Sequence, residues 1–143
     1  MKDQTSEPAN RDKFQNRLKT ASGEPRAFVS LKGVQTLWFN TGTLCNITCV
    51  NCYILSSPSN DALVYLTVDD VQTYLEQIKD RNWPVREIGF TGGEPYMNPQ
   101  FNAMCRLALE AGYEVLVLTN AMRPMMRKSV RDGILDLVTE FGD

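Results

Sequence analysis

Between residues 35 and 141 a short β-type run gives way to a helix-type stripe three times, and that alternation leaves few architectures open. Gln35-Thr36-Leu37-Trp38-Phe39-Asn40 reads as the first strand, with Trp38 and Phe39 in the core. Turn chemistry follows at Ser56-Ser57-Pro58-Ser59-Asn60-Asp61. Thr67 then caps a helix, with Asp70 three residues on. Val68, Val71, Leu75 and Ile78 follow at helical spacing as one apolar stripe.

Trp83 and Pro84 read as a helix-to-strand turn. Val85 to Phe90 forms the second strand and runs into Thr91-Gly92-Gly93-Glu94-Pro95. Asn98 and Pro99 suit the N-cap and first position of a second helix. Its inner side carries Phe101, Met104, Cys105 and Ala108, and Gly112 stops it. Val115-Leu116-Val117-Leu118 is a continuous apolar run, which predicts a strand buried on both faces, ended by Thr119-Asn120. The last helix uses Val130, Ile134, Leu137, Val138 and Phe141, weakened by Gly133 in its interior.

Strands alternating with helices imply an α/β fold with a parallel sheet and right-handed crossovers. Ligands of such sheets bind beyond the carboxyl ends of the strands. The three least ordinary segments fall there: a cysteine loop, Gly-Gly-Glu-Pro, and Thr119-Asn120.

The loop after the first strand holds Cys45, Cys49 and Cys52, a C-x3-C-x2-C spacing. A structural zinc site takes four protein ligands, and an ordinary [4Fe-4S] cluster takes four cysteines. Three thiolates on one short loop point to a cluster with one iron left open. The remaining cysteine, Cys105, sits in a core stripe and makes a poor disulfide partner for this trio. The sequence contains no histidine, which excludes Ser-His-Asp and Cys-His catalysis and any histidine-ligated metal.

A net charge of −2 with scattered basic residues gives no footprint for nucleic acid or an anionic membrane. No apolar run approaches the roughly 18 residues of a membrane span, and the N-terminus lacks a signal-peptide core. The expected compartment is the cytoplasm, where clustered cysteines bind metal more often than they pair. Residues 1–27 read as a flexible polar segment, with a short helix around Phe14 to Lys19, and residues 28–143 as the folded domain.

The cysteine spacing, followed about forty residues later by Gly-Gly-Glu-Pro after a second strand, resembles the radical S-adenosylmethionine (SAM) superfamily. The likeness covers roughly residues 35 to 141. It implies that Cys45, Cys49 and Cys52 hold three irons of a [4Fe-4S] cluster, and that SAM chelates the fourth. It implies reductive cleavage of SAM to a 5′-deoxyadenosyl radical, which abstracts hydrogen from a substrate. By the same resemblance Gly92 and Gly93 admit SAM close to the backbone, and Glu94 and nearby carbonyls accept from its ammonium. Pro95 stiffens the turn.

Two departures stand out. Many members place an aromatic residue just before the third cysteine; here that residue is Asn51, and Tyr53 follows instead. The family's usual fold is a partial barrel of six βα units, and 143 residues supply about three. The sequence therefore looks like the N-terminal half of such a barrel, and a separate chain is one source of the missing strands. The resemblance also implies a small-molecule or peptide substrate and an electron donor such as a flavodoxin or ferredoxin. The alternative is a truncated, non-catalytic fragment that binds an iron–sulfur cluster or zinc.

Overall fold

The computed structural model describes residues 16–142, which divide into two compact units at Lys32 and Gly33. In the first, the Asn16 carboxamide oxygen accepts from the Leu18 and Lys19 amides at 2.8 and 3.0 Å. Lys19 bridges Pro25 in antiparallel fashion around a turn containing Gly23, whose φ is +86°. The helix expected around Phe14 to Lys19 lies partly outside the described residues. From Asn16 to Lys19 the chain is a turn and bridge instead, because the Asn16 side chain takes the amides a helix would use.

The second unit is the α/β fold that the alternation predicts. Strands β1 (Thr36–Asn40), β2 (Glu87–Thr91) and β3 (Glu114–Val117) form a parallel sheet in the order β1-β2-β3. Helices α1 (Val68–Asp80), α2 (Phe101–Glu110), α3 (Arg123–Met126) and α4 (Lys128–Phe141) complete it, with a 3-10 turn at Pro95–Met97. Phe39, Ile88 and Phe90 from the strands join Val71, Leu75 and Ile78 of α1 and Phe101, Met104, Cys105 and Ala108 of α2 in one core. Phe90 and Tyr96 both meet the Phe101 ring edge-on, at 5.3 and 4.9 Å between centroids.

Helix α1 starts where Thr67 and Asp70 form a complete capping box. Helix α2 starts later than its sequence indicates. Its cap is Gln100, not Asn98. Buried Asn98 is committed elsewhere: its Nδ2 donates to the Thr41 carbonyl at 3.1 Å and the Leu66 carbonyl at 2.8 Å, and its Oδ1 accepts from the Gln100 amide. Gly112, with φ +85°, ends α2 as expected. Gly133 lets α4 lie close to α2, since a Cβ there would stand 2.2 Å from Asn102 Nδ2.

Strand β3 is not buried on both faces. Leu116 and, just beyond the strand, Leu118 are 39% and 53% exposed, and among the described residues nothing pairs with its outer edge. Trp38 is also no core residue: it is 45% exposed and lies across Gly89, in register with Leu116. An apolar run specifies that a strand is hydrophobic but not what covers it. An open apolar face beside an unpaired edge favours association. Residues 1–143 are expected to oligomerise or melt broadly; light scattering that finds monomer at all concentrations, with a sharp melt, would contradict this.

Burial pushes the Cys105 thiol from 9.0 to about 12. Burial, with smaller contributions from Cys105 and Glu94, raises the Tyr96 phenol from 10.0 to about 12. The folded state keeps both protons over a range where the unfolded chain gives them up. Stability contributed by these groups is therefore complete below about pH 9 and lost as pH rises toward 12. Thermal melts under reductant should hold up to about pH 9 and fall above it; a melting temperature flat to pH 11 would be the contrary result.

Candidate functional site

Beyond β1 the chain is pinned to the end of β2 before it turns. The Thr41 amide and hydroxyl both donate to the Thr91 carbonyl, at 2.8 and 3.0 Å. The cysteine loop then folds on itself through Cys45 N to Ser57 O (3.2 Å) and Cys52 N to Cys49 O (3.3 Å). Cys45 is buried, Cys49 exposed and Cys52 half-buried, and all three are free thiols. The Ser56 amide donates to Cys52 Sγ at 3.2 Å. Backbone N–H groups of Ile54 and then Ser56 hold the Cys52 thiol below its ordinary value, against a smaller opposing effect of desolvation. The thiolate is the form that binds metal. Among the described residues no three Cys, Asp or Glu side chains converge on one point as ligands of a single ion would.

The Gly-Gly-Glu-Pro turn sits directly on this loop. Gly93 N donates to Gly42 O at 2.9 Å and Glu94 N to Leu44 O at 3.0 Å. A Cβ on Gly93 would stand 2.3 Å from Leu44 O and 2.5 Å from Thr43 O. Gly92 has φ +142°, and a Cβ there would be 2.8 Å from Gly42 O. Both glycines are thus needed to seat one loop on the other, a requirement set by the chain itself. The carbonyls of Gly92 and Gly93 accept no hydrogen bond among the described residues. Pro95 is buried and opens the 3-10 turn.

The Glu94 carboxylate is 2% exposed and engaged within the chain. Oε1 accepts from the Tyr96 amide at 3.1 Å and the Thr119 hydroxyl at 2.8 Å. Oε2 accepts from the same hydroxyl at 2.9 Å and the Asn120 amide at 2.8 Å. Asn120 Nδ2 in turn donates to Asn46 Oδ1 at 2.9 Å and lies 3.7 Å from Cys45 Sγ. The ends of all three strands are therefore joined through Glu94, Asn120 and Cys45. Tyr53 is 72% exposed and Asn51 exposed, so neither packs into this junction. Sequence reasoning missed Asn46, Ser56 and the bridging role of Asn98. Asn and Ser in turn-rich loops carry no signal of a distant partner. A groove of about 690 Å³ runs along α1 and beside Trp83 and Tyr113, and no cysteine lines it.

The family described as the Radical SAM superfamily matches residues 39–143. No curated protein matches the chain. The crystal structure of Streptococcus suis SuiB bound to S-adenosylmethionine shares the fold, with a TM-score of 0.57 and 22% identity over 71% of this chain and 22% of that one. SuiB bound to precursor peptide SuiA gives a TM-score of 0.58 and 22% identity, covering 72% of this chain and 22% of that one. At this identity the likeness concerns the fold. The chain spans 22% of the length of SuiB.

Proposed function

The chain belongs to the radical SAM superfamily, and on that premise we propose that its strand-end loops hold a [4Fe-4S] cluster and S-adenosylmethionine. When bound, the pair supplies reductive cleavage of SAM to a 5′-deoxyadenosyl radical that abstracts hydrogen from a substrate. Cys45, Cys49 and Cys52 would bind three irons. The donor set suits this: a cubane takes one thiolate at each of three corners, so its ligands need not meet at a point as those of one ion do.

Gly92, Gly93, Glu94 and Pro95 form the SAM-side turn in this reading. The unengaged carbonyls of Gly92 and Gly93 receive the ammonium, and their lack of Cβ keeps that turn on the cysteine loop. Glu94 holds the turn to Thr119 and Asn120 and thereby orients it. The observation that supports this reading is the seating of Gly93 on Thr43 and Leu44, which sets the Gly-Gly-Glu-Pro turn, with its two free carbonyls, on the start of the cysteine loop.

A peptide is the substrate class we favour, because SuiB, which shares the fold, has been crystallised with a precursor peptide. A flavodoxin or ferredoxin would deliver the electron, in the cytoplasm, and further barrel strands would complete the substrate pocket. One observation favours a second reading, a non-catalytic fragment that binds a cluster or zinc: the chain spans 22% of SuiB.

Anaerobic reconstitution followed by SAM and dithionite tests the proposal. The expected result is a brown protein with about four irons that releases 5′-deoxyadenosine. Iron without cleavage would move the assignment to the non-catalytic reading, and zinc without iron would remove the cluster altogether.

A further inference from the structure

The Ser56 side chain is 3% exposed, and its hydroxyl is the one buried side-chain polar atom among the described residues with no hydrogen-bond partner. A buried hydroxyl without a partner is costly, and such groups are scarce in native folds. This one is not placed at random. The Ser56 amide already donates to Cys52 Sγ at 3.2 Å, which sets residue 56 against that sulfur. The local backbone fixes this arrangement. Leu55, immediately before, has φ +54°, and Leu55 N donates to Cys52 O, which turns residue 56 back toward the sulfur.

Resting on the reading of Cys52 as a cluster ligand, we propose that Ser56 is a positioning residue whose hydroxyl donates to a sulfur of the loaded site. The acceptor is the Cys52 thiolate or the inorganic sulfide beside it; both are electron-rich sulfur, more so after reduction. A donor to either stabilises the reduced cluster and raises its potential. The orphan hydroxyl of the metal-free fold is then a donor held ready for the cofactor.

The test compares Ser56→Ala and Ser56→Thr with the parent, in the metal-free and the reconstituted protein. In the metal-free protein Ser56→Ala should melt at or slightly above the parent, since it removes a group that has no partner. In the reconstituted protein its midpoint potential should move negative, by the equivalent of about a fivefold change in the reduction equilibrium. Ser56→Thr keeps the hydroxyl and should keep the parent potential. Equal potentials for Ser56→Ala and the parent overturn the proposal, as does a clear loss of metal-free stability, which would mean that the hydroxyl is already bonded. A parent that takes up no iron defeats the cluster reading and this inference together, so the two failures are told apart.

Discussion

Cys49→Ala is expected to abolish intact cluster assembly, leaving a protein that folds as the parent does but gains no stable brown chromophore. Cys49 lies where a sulfur can be removed without disturbing a packed neighbour. It is exposed, and its side chain makes no hydrogen bond within the described residues. Substitutions at such positions usually change stability by no more than about 0.5 kcal/mol. Loss of the sulfur therefore removes a ligand without disturbing the apo fold, which separates it from Cys45→Ala. Cys45 is buried beside Asn120, and its removal would combine a ligand effect with a packing effect. A thiolate cannot be replaced by water without exposing an iron, and two thiolates from one loop hold a cubane poorly. Iron content, the visible absorption of the reconstituted protein and a metal-free melt form the measurement. Parent-like iron with parent-like absorption would remove Cys49 from the ligand set.

Gly93→Ala should have the largest effect on the fold itself. The added methyl would meet Leu44 O at 2.3 Å, Thr43 O at 2.5 Å and Leu44 C at 2.7 Å, all backbone atoms that cannot swing away. Relief requires the two loops to part, which also strains Gly93 N to Gly42 O and Glu94 N to Leu44 O. Overpacking and two weakened hydrogen bonds together cost roughly 2–4 kcal/mol, a fall in melting temperature of about 10 °C or more. Gly112→Ala is the matched control. That position needs its glycine for φ, +85°, as Gly93 does not, and a methyl there meets nothing within 4 Å. Its cost should be only about 1 kcal/mol. Equal, small effects at both positions would show that the seating of the second loop on the first does not depend on Gly93.

These two substitutions also mark how far the sequence could be read. The alternation of strand and helix, the stripe of α1 and its Thr67–Asp70 cap were legible because each is fixed by residues a few positions apart. The cysteine spacing and Gly-Gly-Glu-Pro, each at a strand end, pointed to the radical SAM superfamily, to which residues 39–143 match. The reading failed where a local signal competed with a distant partner. Asn98 has the sequence of a helix cap, yet it reaches Thr41 and Leu66 instead. The run Val115 to Leu118 has the composition of a doubly covered strand, yet one face and one edge lie open.

Alone, then, the order of residues determined which segments become strands and helices, which strand ends carry the unusual chemistry, and which superfamily the chain resembles. Periodicity and spacing suffice for that because they record neighbours along the chain. Only the folded sheet decided that Gly93 rests on Leu44, that the Glu94 carboxylate is buried under Thr119 and Asn120, and that Asn120 reaches Cys45. Those partners lie 25 to 75 positions apart in sequence. They meet because a parallel sheet lines up its carboxyl ends, and the hydrogen bonds of a buried carboxylate are chosen by whichever donors that alignment delivers.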